Sequence, residues 1–587
     1  MLNGTIFMMK TYILSLLVFL SAFLSYAQKD ISNEVALPSG VQLEWQNNEL
    51  TMFVHFGPAT WQNQEYDDLS TPPERINPQK LSTDQWAQVA KSYGAKMIIF
   101  VAKHTGGFCC WQTITTKYSI KNTPWKNGKG DVMKDLSLSC KKYGLNLGVY
   151  LSPEDRYLNV GMGGKARDTS FQQQYEKIYR EQLTELLTRY GDIKEVWVDG
   201  SLVFNINDII KKLAPRAAIL QSSAATIRWV GNEMGYAPYP AWNAVSEADA
   251  KSGNSTASHG NPNGDTWLPI EVDVSLRRPN WFWKFNNEEG ILSLKELMKL
   301  YYLSVGRGCV LLINTSPDTT GLIPQKDAAR LKEFGEEIER SFGHPIATTS
   351  GSSSMITLKL PKGKNIDHLM LMEDIKFGER TRSFVTEVYT QHQWKQVFTG
   401  SSIGHKLILQ FPAVTATAAR LRILSSVGVA KIKTFSAFYN RASLVEIPAI
   451  KDTWKIRNAG AWDFNTNDSG VKQIQLNISP YCKDAQPYEV AFVIQVDKEK
   501  EAQFSYDWAQ TGLWTDNIEK QDRLIIISKH LIFDGVNADQ YLLNDEKFPD
   551  RIHFNLTGIA PNLLVDVKLK IPAQYSKGNI LAFILRK

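Results

Sequence analysis

The chain has 587 residues, 43% hydrophobic and 21% charged, a globular composition that is too long for one ordinary domain, so two to four domains are expected. A formal net charge of +6 over that length gives no case for nucleic-acid binding. Five Cys, two of them adjacent at Cys109 and Cys110, argue against a disulfide framework and offer no Cys-x-x-Cys metal pair.

In chain order, residues 1–27 stand apart. Lys10 precedes an apolar run from Tyr12 to Leu24, and Ser25-Tyr26-Ala27 offers a small-residue cleavage site, the pattern of a secretory signal peptide. Export to the periplasm or beyond the cell is expected. No later run reaches about 18 uninterrupted apolar residues, so no membrane span is expected.

From about residue 40 to 343, apolar runs alternate with amphipathic segments. The runs are Leu50 to Phe56, Lys96 to Ala102, Leu145 to Leu151, Val196 to Val198, Ala217 to Leu220 and Cys309 to Ile313. Among the helical segments are Thr83 to Tyr93, Val132 to Tyr143, Gln172 to Tyr190, Leu294 to Val305 and Gln325 to Arg340. Gly94, Gly144 and Gly191 fall where a helix should stop before the next strand. Repeated strand–helix units predict a parallel sheet, and closure as a (β/α)8 barrel over residues 28–345 is favoured. Beyond Gly343 the texture changes to period-two alternation, which predicts two β-sandwich modules, at 346–445 and 446–587, divided near Ile447, Pro448 and Ala449.

In such a barrel the chemistry sits at the carboxyl ends of the strands. Polar residues close the runs at His55, at Lys103 and His104, at Tyr150 and Ser152, at Asp199, and at Glu271 and Asp273, accompanied by Trp61, Tyr66, Trp111, Trp197, Trp229, Trp281 and Trp283. Aromatic rings stack on the apolar face of a pyranose while charged groups bind its hydroxyls, and two carboxylates divide nucleophile and acid roles. A strand-terminal Asp-Gly is also a common turn or helix cap. A His closing a run is more often structural, and a Trp is usually core. Convergence on one barrel end is what favours a sugar site.

The ordered segments M-F-V-H-F-G-P-A-T-W-Q-N-Q-E-Y, A-K-H-T-G-G-F-C-C-W, L-G-V-Y-L-S-P-E-D-R, E-V-W-V-D-G-S, I-R-W-V-G-N-E and P-I-E-V-D-V-S-L-R resemble family 29 glycoside hydrolases, the α-L-fucosidases, and most closely their α-1,3/4 branch. Residues 365 to 440 resemble the discoidin-like sandwich that follows such barrels. The resemblance implies a retaining exo-acting hydrolase acting on a glycan, needing no cofactor and no metal. Asp199 would be nucleophile and Glu271 general acid/base, with Glu233, Asp273 and Glu288 next in line for the acid. It also implies sugar or nucleophile contacts from His55, Glu65, His104, Tyr150 and Arg228, and aromatic contacts from Tyr66, Trp111, Trp197 and Trp281. The family commonly reads K-H-H-D-G-F where this chain reads Lys103-His104-Thr105-Gly106-Gly107-Phe108. That departure leaves open a galactoside or decorated fucoside as substrate, and a non-catalytic glycan-binding protein is the reading from another class.

Overall fold

A computed structural model describes residues 35–245 and 260–441, together with Glu247, Ala250 and Val445, and the backbone of strands between Lys455 and Arg586. The leader expected at 1–27 and most of the Ser246 to Gly264 insertion lie outside the described residues.

Eight parallel strands form the first unit: β1 (Leu50–Val54), β2 (Met97–Lys103), β3 (Asn146–Leu151), β4 (Ile193–Trp197), β5 (Ala218–Leu220), β6 (Arg228–Trp229), β7 (Ile270–Ser275) and β8 (Val310–Asn314). They pair in chain order, β8 returns to β1, and a parallel bridge between Leu220 and Ile227 brings the chain from β5 to β6. The result is a (β/α)8 barrel. Strands β1 and β2 are buried on both faces, so they read as continuous apolar runs rather than as alternation.

The helices follow the punctuation of the sequence. Asp131 caps Val132–Tyr143 by accepting from the Lys134 N–H, and Gly144 ends it in the left-handed region at φ 66°, which a side chain would disfavour. Leu294–Leu303 opens with a reciprocal capping box between Ser293 and Glu296. A short helix, Gly40–Gln46, closes the amino-terminal end of the barrel. Its Trp45 indole donates to Glu195 at 2.6 Å, and Gln42 donates to the carbonyls of Thr226 and Trp267. Between β6 and β7 a loop with a small hairpin, Ala244–Val245 against Thr266–Trp267, takes the place of a long helix among the described residues.

After the last barrel helix, Gln325–Phe342, six antiparallel strands run from Ala347–Gly351 to Ile432–Phe438. The two long ones, Met355–Glu373 and Leu407–Ser426, shift register at Lys359/Lys364 and again at Ile366/His368. Such bulges bend a strand, and here they let the sheet fold over its own core of Ile356, Leu369, Phe384, Leu407, Leu421 and Phe435. This is the sandwich expected after the barrel. Nine further strands between Lys455 and Arg586 make a seven-stranded and a two-stranded sheet, the second sandwich. No helix among the described residues is long and apolar enough to cross a membrane.

Barrel and first sandwich are locked through charged groups. Glu49, at φ 56°, places its carboxylate between His405, at 3.0 Å, and Lys406. Burial alone would raise this acid, but the His405 hydrogen bond and the Lys406 ammonium together hold it near 2. Glu379 accepts from the Asn243 backbone at 2.9 Å and its side chain at 2.6 Å, and Tyr239 donates to Ser402 at 2.8 Å. Replacing Glu49 with Ala strands a buried ammonium. The expected cost is about 1–3 kcal/mol of unfolding free energy in urea titrations at neutral pH. That difference should shrink as pH falls toward 2, where the wild-type carboxylate also loses its charge, and an unchanged midpoint at pH 7 would show that the lock contributes nothing.

Candidate active site

At the carboxyl end of the barrel four rings stack in a descending ladder. Tyr66 lies over His104 at 6.0 Å and 26°, His104 over Tyr150 at 5.8 Å and 18°, and Tyr150 over Trp197 at 5.1 Å and 26°. Tyr66 is 52% exposed at the rim, whereas Tyr150 and Trp197 are buried. Against the edge of the ladder, His55 meets His104 at 5.5 Å and packs on Trp281 at 5.4 Å and Phe282 at 5.3 Å, so the aromatic cluster continues from the ladder to Trp281.

Polar groups are set into these walls. The Tyr150 hydroxyl donates to Asp199 Oδ2 at 2.7 Å. Asp199 follows β4 and is only partly buried, so one side of its carboxylate meets the mouth. Its acid lies above the ordinary range because burial outweighs the Tyr150 hydrogen bond, and the charge of Glu154 adds to the rise. His55 shares a 2.8 Å hydrogen bond with Asn314 Oδ1, the last residue of β8, and burial depresses its imidazole to about 3. His104 is likewise depressed by burial, and secondarily by His55 and Arg156. Both rings are neutral at physiological pH, so they act by hydrogen bonding and not by charge. Glu65 takes the Trp281 backbone N–H on both oxygens, at 2.9 and 3.1 Å, and burial pushes its acid up to about 7.

A second mouth carboxyl comes from the loop after β6. Glu233 is exposed and accepts from the Trp281 indole at 3.3 Å. Its acid is raised by its partly desolvated position and by the negative charge of Asp199, against the Trp281 hydrogen bond. Glu233 therefore lies close enough to Asp199 to feel its charge, and a double-displacement glycosidase uses two such carboxyls at one mouth.

Three residues expected at the sugar are placed elsewhere. Glu271 was expected to close a strand, but β7 runs on to Ser275, so Glu271 lies about 13 Å deeper along the strand at ~3.3 Å per residue. It is fully buried and accepts from the Trp197 indole at 2.8 Å. Arg228 opens β6 and sends its guanidinium to the carbonyls of Leu268 and Trp242, the latter at 2.6 Å, and it is not among the groups acting on Asp199. Trp111 is fully buried and donates to Glu185 at 2.8 Å on the helix Gln172–Arg189, which makes it part of the packing between barrel and helices. Lys103, too, turns from the mouth to pair with buried Asp155 at 3.3 Å. Glu233, by contrast, lay within the I-R-W-V-G-N-E segment, where nothing in residue pattern alone set it above Glu271.

The altered motif also has a structural reason. A Cβ on Gly106 would lie 2.5 Å from Asp67 Cβ and 2.7 Å from its Cγ, so the adjoining loop already fills that space with a carboxylate. Asp67 is held there by the Tyr118 hydroxyl at 2.8 Å, Gln62 Nε2 at 2.8 Å and the Leu69 N–H at 2.9 Å.

Comparison with known proteins agrees with this geometry. The α-L-fucosidase family model matches residues 33–341. The chain belongs to the α-L-fucosidase family. It is 34% identical over 424 residues to alpha-L-fucosidase 1 of Arabidopsis thaliana, covering 64% of this chain and 82% of that protein. A crystal structure of a putative alpha-L-fucosidase from Bacteroides thetaiotaomicron superposes with a TM-score of 0.66 at 35% identity, over 69% of this chain and 100% of the other. One from Bacteroides ovatus, at 29% identity and a TM-score of 0.62, covers 93% of this chain and 92% of its own. The fucosidase likeness thus extends past the barrel into the carboxyl-terminal modules.

Within this fucosidase family chain, Gly106 and Asp67 should behave as a coupled pair. Gly106→Ala is expected to cost about 1–3 kcal/mol by overpacking, read by thermal or urea melts. Adding Asp67→Gly should recover part of that loss, and strictly additive effects would show that the two do not share the space.

Proposed function

We propose that the protein is a retaining α-L-fucosidase that removes terminal fucose from glycans, with Asp199 as nucleophile and Glu233, in place of Glu271, as general acid/base. The observation that carries the assignment is the depth of the carboxyls: Asp199 and Glu233 share the mouth, while Glu271 is sealed below Trp197. In the first step an Asp199 oxygen attacks the anomeric carbon as Glu233 gives its proton to the departing glycosidic oxygen. In the second, the Glu233 carboxylate takes a proton from water, whose oxygen attacks the same carbon and releases Asp199, so two inversions give net retention. Its raised acid keeps Glu233 protonated further toward neutral pH than an ordinary glutamic acid, as the first step requires.

Tyr150 steadies the nucleophile, His55 and His104 serve as neutral hydrogen-bonding groups, and the ladder with Trp281 offers apolar faces to the sugar. Family membership favours fucose over a galactoside, and two carboxyls poised at the mouth favour an enzyme over a lectin. Thr105 and Gly106, with Asp67 behind them, are where this chain's choice among fucosides would be set. The amino-terminal leader pattern supports export, with a glycan met in the periplasm or outside the cell.

Asp199→Asn is expected to lower kcat on aryl fucosides by several orders of magnitude, the loss of a covalent catalyst. Glu233→Gln should slow substrates with poor leaving groups most, remove the alkaline limb of the pH profile, and be rescued by azide on activated aryl fucosides. Azide rescue in Glu271→Gln instead would return the acid role to the deeper residue.

A further inference from the structure

Below the mouth, the barrel interior holds two carboxyls that form no ion pair among the described residues. Glu195 on β4 takes the Trp45 indole on Oε2 at 2.6 Å, and Glu271 on β7 takes the Trp197 indole on Oε1 at 2.8 Å. Glu195 Oε1 and Glu271 Oε2 are buried with no hydrogen-bond partner among the described residues. Burial raises both acids, and the charge of Glu195 raises Glu271 further. An apolar pair of similar volume would be cheaper to bury, which makes stability a poor reason for these residues.

What the pair controls lies directly above it. Trp197 has one polar atom, the indole N–H, and Glu271 holds it. The face of that indole carries Tyr150, whose own face carries His104 and whose hydroxyl meets Asp199. We propose that Glu271 is a positioning residue for the fucosidase reaction: through its hydrogen bond to the indole it fixes the plane of Trp197 and thereby the aim of the Tyr150 hydroxyl at the Asp199 carboxylate. In a close-packed interior a tilt of one ring passes to the next, and a misplacement of about 1 Å at a reacting group costs up to ~100-fold in rate. The inference rests on Asp199 being the nucleophile.

The test is the pH profile of kcat/KM on an activated aryl fucoside for Glu271→Leu, Glu271→Gln, Trp197→Phe, Tyr150→Phe and the double variant Glu271→Leu with Tyr150→Phe. The Tyr150 hydrogen bond favours the Asp199 carboxylate, while burial and Glu154 disfavour it. Glu233, Tyr66 and Tyr179 also feel the Asp199 charge, and all three remain in every variant. Misaiming Tyr150 therefore raises the Asp199 acid, and activity fails at a higher pH on the way down.

Glu271→Leu should lower kcat by roughly 10- to 100-fold and move the acid limb upward. Trp197→Phe, which keeps a ring but loses the N–H, should do the same and serves if Glu271→Leu does not fold. Glu271→Gln keeps an acceptor for Trp197, so it should retain most of the rate and the limb position. The double variant should shift no further than Tyr150→Phe. If Tyr150→Phe moves the limb and neither Glu271→Leu nor Trp197→Phe does, the positioning role is wrong while the nucleophile stands. If Tyr150→Phe also leaves it in place, the reading of Asp199 falls first.

Discussion

A β-strand alternates its side chains, and in a closed barrel this period decides which residues share the interior and how deep each one sits. Glu195, Trp197 and Asp199 rise on one side of the barrel axis, and Glu271, Asp273 and Ser275 on the other. Depth then separates the carboxyls by their solvent. At the bottom, burial raises the acids of both Glu195 and Glu271. One layer up, Asp273 accepts from the Trp229 indole at 2.7 Å and is raised well above an ordinary aspartic acid by burial, with Glu233 and Glu271 adding to it. At the rim, Asp199 is only partly buried and Glu233 is exposed.

The same desolvation governs the rest of the mouth. It keeps His55 and His104 uncharged and raises Glu65, so no imidazolium competes with Glu233 as proton donor. The ladder from Tyr66 to Trp197 serves two purposes with one set of rings. Its upper members give the sugar an apolar face, and its lower members transmit the geometry of a polar anchor buried under them. The first sandwich supports this arrangement from outside, because Glu379 grips Asn243 in the connection that leads from Glu233 back to β7.

Much of this was legible in the residues. Continuous apolar runs and the glycines that end the helices marked six of the eight barrel strands, since burial on both faces and left-handed caps leave plain marks, while the two-residue strand Arg228–Trp229 is too short to leave one. Asp199, the proposed nucleophile, stood out because it closes a buried run at the same barrel end as His55, His104 and Tyr150. Glu271 was misplaced for the converse reason. In P-I-E-V-D-V-S a charged residue looks like a strand end, yet Glu271 is an interior group whose neighbour, Glu195, lies 76 positions earlier on another strand. Arg228 misled in the same way, since its charge suggested a partner for Asp199 while its guanidinium satisfies backbone carbonyls. The exchange of space between Gly106 and Asp67 joins two loops, and no pattern within either loop reveals it.

The claim on which the mechanism turns is that a covalent bond forms at Asp199. Incubation with a 2-deoxy-2-fluoro-fucosyl donor carrying a good leaving group, followed by peptide mass spectrometry, reads that bond directly. The account predicts one added fluorofucosyl group per chain, on the peptide containing Asp199 and at Asp199 itself, released slowly as turnover resumes. A label on Glu233 or Glu271, or substrate turnover with no label under any condition, would contradict it.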